Sequence, residues 1–99
     1  MGSVIEVIKF LLNEETSVDE FVAINAKYQT DFVYHQVGLR RRTVAPGIGG
    51  AWLSLTVWGS KSDVHRADEE AAHSTVAQMF EACLEPSSKS VEYFKELPG

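Results

Sequence analysis

A single cysteine, Cys83, stands in the 99 residues, so an internal disulfide and a cysteine-built zinc site are both excluded. Basic residues are scarce: Lys and Arg number 9 against 14 Asp and Glu, a formal net charge of −5. A surface with that balance repels phosphate backbones, and no nucleic-acid partner is expected. Long hydrophobic runs are lacking too. None approaches the ~20 apolar residues of a membrane span. Glu6 and Lys9 interrupt the first apolar stretch, which argues against a signal peptide. Glu6 also occupies the position where N-myristoylation of Gly2 needs Ser or Thr. No membrane partner is therefore expected, and the lone thiol points to a reducing, cytoplasmic compartment. No repeat, low-complexity tract or linker divides the chain, so residues 1–99 read as one domain. A domain this small buries only ~60–68% of its unfolded surface. How it covers its apolar residues is the central question.

The elements follow from periodicity. Val4 to Leu12 is β-branched and apolar with single charges, which predicts a strand. Ser17-Val18-Asp19-Glu20 is a capping box opening a helix that runs to about Gln36 or Val37. Phe21, Ile24, Tyr28, Phe32 and His35 share one face of that helix, and Gly38 is its expected stop. Leu39 to Ala45 and Ala51 to Trp58 read as two strands of a hairpin joined by Pro46-Gly47-Ile48-Gly49-Gly50. A second helix starts within Ser60-Lys61-Ser62-Asp63 and ends at Pro86. Its early apolar set (Val64, Ala67, Ala71) and later set (Val76, Met79, Phe80, Cys83, Leu84) do not share a stripe. That phase slip predicts a break near His73-Ser74-Thr75, with Ser74 or Thr75 capping the second piece. Ser90 to Leu97 closes the chain as a strand.

The order β-α-β-β-α-β leaves an α+β, ferredoxin-like sandwich as the simplest solution, its sheet mixed and largely antiparallel. Along the third strand Trp52, Ser54, Thr56 and Trp58 share one face, while Ala51, Leu53, Leu55 and Val57 share the other. Both faces are substantially apolar, and two helices cover only one. Packing against a second copy would cover the rest, which predicts a homodimer.

Several side chains could carry chemistry. Trp58 and Trp52 could stack on a flat aromatic ligand while Ser54 and Thr56 bond its oxygens; equally, all four could fill the core. His35, with Tyr28 and Asn25 on the same side of the helix, is a candidate general base, or a helix-end histidine favoured by the dipole. His65, Glu69 and His73 align at i, i+4, i+8, but imidazoles about 12 Å apart along a helix cannot close on one ion, so no metal site is expected. Arg40 and Arg42 would share one strand face and Arg41 the other; one of them could grip a carboxylate or phenolate. The glycine-rich turn joins strand to strand and is no phosphate loop.

Gly38-Leu39-Arg40-Arg41 after the first helix, the glycine-rich turn, Gly50-Ala51-Trp52-Leu53, Val57-Trp58-Gly59-Ser60 before an alanine-bearing helix, and the closing Ser90-Val91-Glu92-Tyr93-Phe94 form a recognisable series. It resembles the antibiotic-biosynthesis-monooxygenase-like group of the dimeric α/β-barrel superfamily. The resemblance implies a dimer whose two sheets form a barrel with the helices outside, and a ligand pocket between sheet and helices in each protomer. In the group's cofactor-independent, quinone-forming oxygenases an Asn stands four residues before the strand tryptophan. Here Trp58 matches and Ser54 replaces the amide. Haem-degrading members need an Asn on the first strand and a suitably spaced His. The first strand has no Asn before Asn13, and neither His65 nor His73 fits, so haem degradation is not expected. The resemblance implies a monooxygenase-type reaction, without metal or organic cofactor, on a small planar phenolic or quinone-type molecule. Trp58, Ser54 and His35 would be catalytic, and Tyr28, Asn25, Trp52 and Thr56 would bind the ligand. The alternative is a non-catalytic dimeric ligand-binding or stress-associated protein with the same pocket.

Overall fold

The computed structural model describes residues 2–98. Strands β1 (Val4–Leu11), β2 (Leu39–Pro46), β3 (Ala51–Trp58) and β4 (Ser90–Lys95) form one sheet in the order β2-β3-β1-β4. Helix α1 (Val18–Asp31) connects β1 to the β2–β3 hairpin, and helices α2 (Lys61–Ala71) and α3 (Thr75–Ala82) connect the hairpin to β4. This is the ferredoxin-like α+β sandwich. Each crossover skips a neighbouring strand, so every adjacent pair is antiparallel and the sheet is not mixed.

Local chemistry sets the boundaries. The Ser17 hydroxyl accepts from the Glu20 amide, and the Glu20 carboxylate accepts from the Ser17 amide, completing the capping box. Ser60 and Ser74 cap α2 and α3 in the same way, accepting from the amides of Asp63 and Ala77. The second helix is thus broken where its apolar phase slips. Gly38 takes φ 85°, and a Cβ there would overlap the Asp63 carboxylate, so only glycine serves.

One boundary departs from the periodicity. The first helix does not reach Gln36: it stops at Asp31, and Phe32 leaves helical geometry at φ −124°, ψ −61°. A single 3₁₀ turn, Val33–His35, follows. Its tighter winding rotates the residues beyond Phe32 out of phase with the preceding face. Val33 is buried there instead of His35, which is exposed.

The register places Phe10, Ile8, Glu6 and Val4 of β1 beside Trp52, Ser54, Thr56 and Trp58 of β3 on the helix-facing side. At one end Phe10, Phe21 and Phe80 pack edge-on or tilted, with ring centroids 5.6–6.2 Å apart. Trp52 packs at 4.8 Å from Phe21. Burial of each such ring contributes ~1.5–3 kcal/mol. The opposite sheet face carries Ile5, Val7, Leu53, Leu55, Val57 and Phe94 with no helix over it. Phe94 is 50% exposed.

Candidate functional site

The other end of the helix-facing side is not filled. Here α2 presents Ala67 and Ala71 and α3 presents Ala77, and a cavity of about 310 Å³ remains above the strands. A register irregularity between Leu39 and Arg41 shapes its floor. Arg40 is the extra residue in β2 there: Leu39 lies beside Trp58, Arg41 beside Val57 on the opposite face, and Arg42 beside Thr56 in regular register. Arg40 and Arg42 therefore do not share one face: the bulge takes Arg40 out of the pairing, while Arg42, in regular register with Thr56, lines the cavity on the helix-facing side.

One polar row crosses all four strands: Arg42 on β2, Thr56 on β3, Glu6 on β1 and Tyr93 on β4 are consecutive cross-strand neighbours. Glu6 is buried, yet no cation pairs with it among the described residues. Its Oε1 accepts from Trp58 Nε1 at 3.2 Å, and its Oε2 accepts from the Tyr93 hydroxyl at 3.2 Å. Burial raises the Glu6 pKa above the ordinary carboxylate value, only partly countered by those two hydrogen bonds. Trp58 is fixed in turn, because its only polar atom is engaged by Glu6.

Tyr28 stacks on Phe80 at 4.4 Å and on Phe32 at 5.6 Å, and forms part of the same wall. Burial pushes its phenol to about 12, and burial together with Glu6 pushes Tyr93 to about 12. Both are neutral donors near neutral pH. Lys61 lies over the Tyr93 ring at 3.0 Å from its centroid, tying the start of α2 to β4. At the rim, Lys89 pairs with Glu81 at 2.7 Å.

No family model matches the sequence, and no curated protein matches it significantly. Solved structures do match. SnoaB, a cofactor-independent oxygenase from Streptomyces nogalater, is similar with a TM-score of 0.80 and 18% identity, over 100% of this chain and 97% of that one. A candidate antibiotic biosynthesis monooxygenase from Bordetella bronchiseptica gives 0.79 and 14%, over 99% and 100%. A further antibiotic biosynthesis monooxygenase gives 0.75 and 7%, over 96% and 99%. The chain has the antibiotic-biosynthesis-monooxygenase-like fold.

Within this monooxygenase-like fold the candidate residues separate. Trp58, Ser54, Thr56 and Tyr28 line the cavity together. Trp52 shares their strand face but sits at the packed end against Phe21, outside the cavity lining. Asn25 is also outside it; its Oδ1 is buried and accepts no hydrogen bond. His35 is displaced by the 3₁₀ turn onto the surface, so the geometry offers it no access to a ligand in the cavity. Among the described residues no group of three His, Cys, Asp or Glu is placed to hold a metal ion. No described helix is long and apolar enough to cross a membrane. Cys83 is buried, and desolvation raises its thiol pKa. The residue that periodicity overlooks is Glu6. Its signal was parity: Val4, Glu6, Ile8 and Phe10 alternate onto one side of β1, so a carboxylate was bound to face the helices.

Proposed function

We propose that this protein is a cofactor-independent, monooxygenase-like enzyme acting on a small planar phenolic or quinol-type molecule held in the cavity beside Trp58. The observation that supports this most is the buried Glu6 carboxylate, aligned by Trp58 and Tyr93 at the floor of an aromatic-walled pocket. A carboxylate of raised pKa in a dry site is a suitable general base. Tyr28, held neutral, serves as a donor and not as the base, and the exposed His35 is replaced in that role by Glu6. Ser54 and Thr56 are placed as hydroxyl donors to a substrate oxygen, and Trp58 as the surface on which the ring lies.

The reaction would begin with Glu6 taking a proton from an activated ring methylene. The resulting carbanion gives its electrons to O₂, a C–O bond forms, and a proton completes the hydroperoxide. Loss of the second methylene proton with cleavage of the O–O bond then leaves a carbonyl and water. Oxygen is the oxidant and the substrate carbon is oxidised, so no resident redox group is called on.

The test is oxygen uptake with anthrone and with a naphthoquinol. Protein-dependent uptake is expected, and Glu6→Gln should lower it about 10²–10⁴-fold. Absence of uptake with both substrates would overturn the catalytic reading in favour of a ligand-binding protein.

We further propose that two copies pack through the apolar sheet face of Ile5, Val7, Leu55 and Phe94, closing a barrel, and that the protein works in the cytoplasm as such a homodimer. Leu55→Arg should convert a sedimenting dimer to monomer by placing a charge at the centre of that face. A wild-type protein that sediments as a folded monomer would refute the assembly.

A further inference from the structure

The cavity has two unequal poles. Glu6 is satisfied: each carboxylate oxygen already accepts a hydrogen bond. Arg42 is not. It forms no ion pair among the described residues. Its one side-chain hydrogen bond runs from Nη1 to the neutral Gln29 Oε1 at 3.1 Å. A guanidinium has five N–H donors, so most of this fork has no partner. Its position is nonetheless well defined, because its Cζ lies 5.1 Å from the Tyr28 ring centroid and 5.4 Å from that of Phe80. The other cation of the lining, Lys89, is neutralised by Glu81.

Ordinary alternation back from the hairpin turn faces Arg42 toward the cavity, with Thr56 as its strand neighbour. Glu6 lies two strands away, a backbone separation of about 10 Å. The space between them, floored by Thr56 and walled by aromatic rings, suits a flat molecule with an anion at one end.

We propose that Arg42 is the specificity-determining pole of the cavity, and that the cavity selects planar aromatic carboxylates, seated with the carboxylate on the Arg42 fork and the ring extending across Thr56 toward Glu6. The planar fork matches a carboxylate in a way a point charge does not. A two-ring frame carries the distal edge of the ligand toward Glu6. This assignment rests on the reading of the cavity as the ligand site, and it names the class of molecule that site takes. Asp68 and Glu81 lie at the exposed rim and are screened by solvent.

The experiment is isothermal titration of the intact protein at neutral pH with 2-naphthoate and with its uncharged match, 2-naphthamide. Naphthoate is expected to bind about 10- to 100-fold more tightly, the range for hydrogen bonds to a charged group. Arg42→Gln should bring the two affinities within about threefold of each other by weakening naphthoate alone. Arg42→Lys should retain part of the preference. Equal affinities in the wild type, no binding of either probe, or equal weakening of both by a folded Arg42→Gln would overturn the proposal. The comparison of the two probes on wild-type protein decides the matter even if a variant fails to fold. Oxygen uptake is not read in this experiment, so its outcome is independent of the oxygenase reading.

Discussion

The two ends of the helix-facing side use the same strands and the same helices, yet one is closed and the other hollow. At the closed end α1 lowers Phe21 onto Phe10 and Trp52, and α3 adds Phe80. At the open end α2 and α3 offer Ala67, Ala71 and Ala77 above Trp58, Thr56 and Ser54. The strands contribute large side chains at both ends, so the difference lies in what the helices bring down. Closure comes from rings meeting rings; the cavity comes from methyl groups facing a polar row. Rings fill one half, while the other holds a buried carboxylate and a guanidinium beside smaller buried clusters around Phe32 and Trp58.

Removing a ring from the closed end should break this contrast most severely. Phe21 is 1% exposed and touches both Phe10 and Trp52. Phe21→Ala is expected to destabilise the protein by about 3–5 kcal/mol, read from urea unfolding midpoints. Filling the open end should do something different. Ala71→Leu places its added carbons in existing space, so stability should change by less than about 1 kcal/mol while naphthoate binding is lost. If Ala71→Leu destabilised the protein as much as Phe21→Ala, the two ends would not differ as described.

The buried carboxylate offers a smaller effect with a definite sign. Glu6 holds its proton more tightly in the folded protein than in the unfolded chain, chiefly because of burial. Its contribution to stability is therefore fully present below the ordinary carboxylate pKa. It is lost as pH rises through the raised folded value, since the folded state binds the extra proton in that window. Wild type should lose stability relative to Glu6→Gln as pH rises across it, and the difference should level off above it. Denaturation midpoints measured for both proteins across the acidic range check this. A wild type that gains on the variant over that window would show that the hydrogen bonds from Trp58 and Tyr93 outweigh desolvation.

Much of the closed end was legible in the sequence. Alternation in β3, the capping box at Ser17 and the phase slip before Ser74 are local signals, each fixed by a few residues. The ferredoxin-like order followed from them. The open end was legible only in part. Trp58, Ser54, Thr56 and Tyr28 announce themselves by face, and the structure gathers them at one cavity. His35 would share the helical face only if α1 continued past Phe32, where a 3₁₀ turn changes the winding. A period-two count gives Arg40 and Arg42 one face because a bulge of one residue is invisible to it; the bulge removes Arg40 and leaves Arg42 beside Thr56. Trp52 and Trp58 share a face, and only the helix above each decides which packs and which lines a cavity.

The break between α2 and α3 is what aims Ala71 and Ala77 at the same space. An unbroken helix would carry a single stripe, and the two alanine-bearing sets are out of phase on such a stripe. Ser74 holds the break by accepting from the Ala77 amide at 3.2 Å, while Gln78 Nε2 donates to the Ala72 carbonyl from the other side. Ser74→Ala should therefore cost about 1 kcal/mol in unfolding free energy, and Ser74→Gly only a few tenths more than wild type. The cap belongs to the open end, so the loss should be accompanied by weaker naphthoate binding, whereas Ser17→Ala, a cap of α1, should destabilise comparably without touching the ligand. Equal effects of the two cap variants on binding would mean that the alanines are positioned by the packing of Phe80 and Val64, and that the break is only a connection.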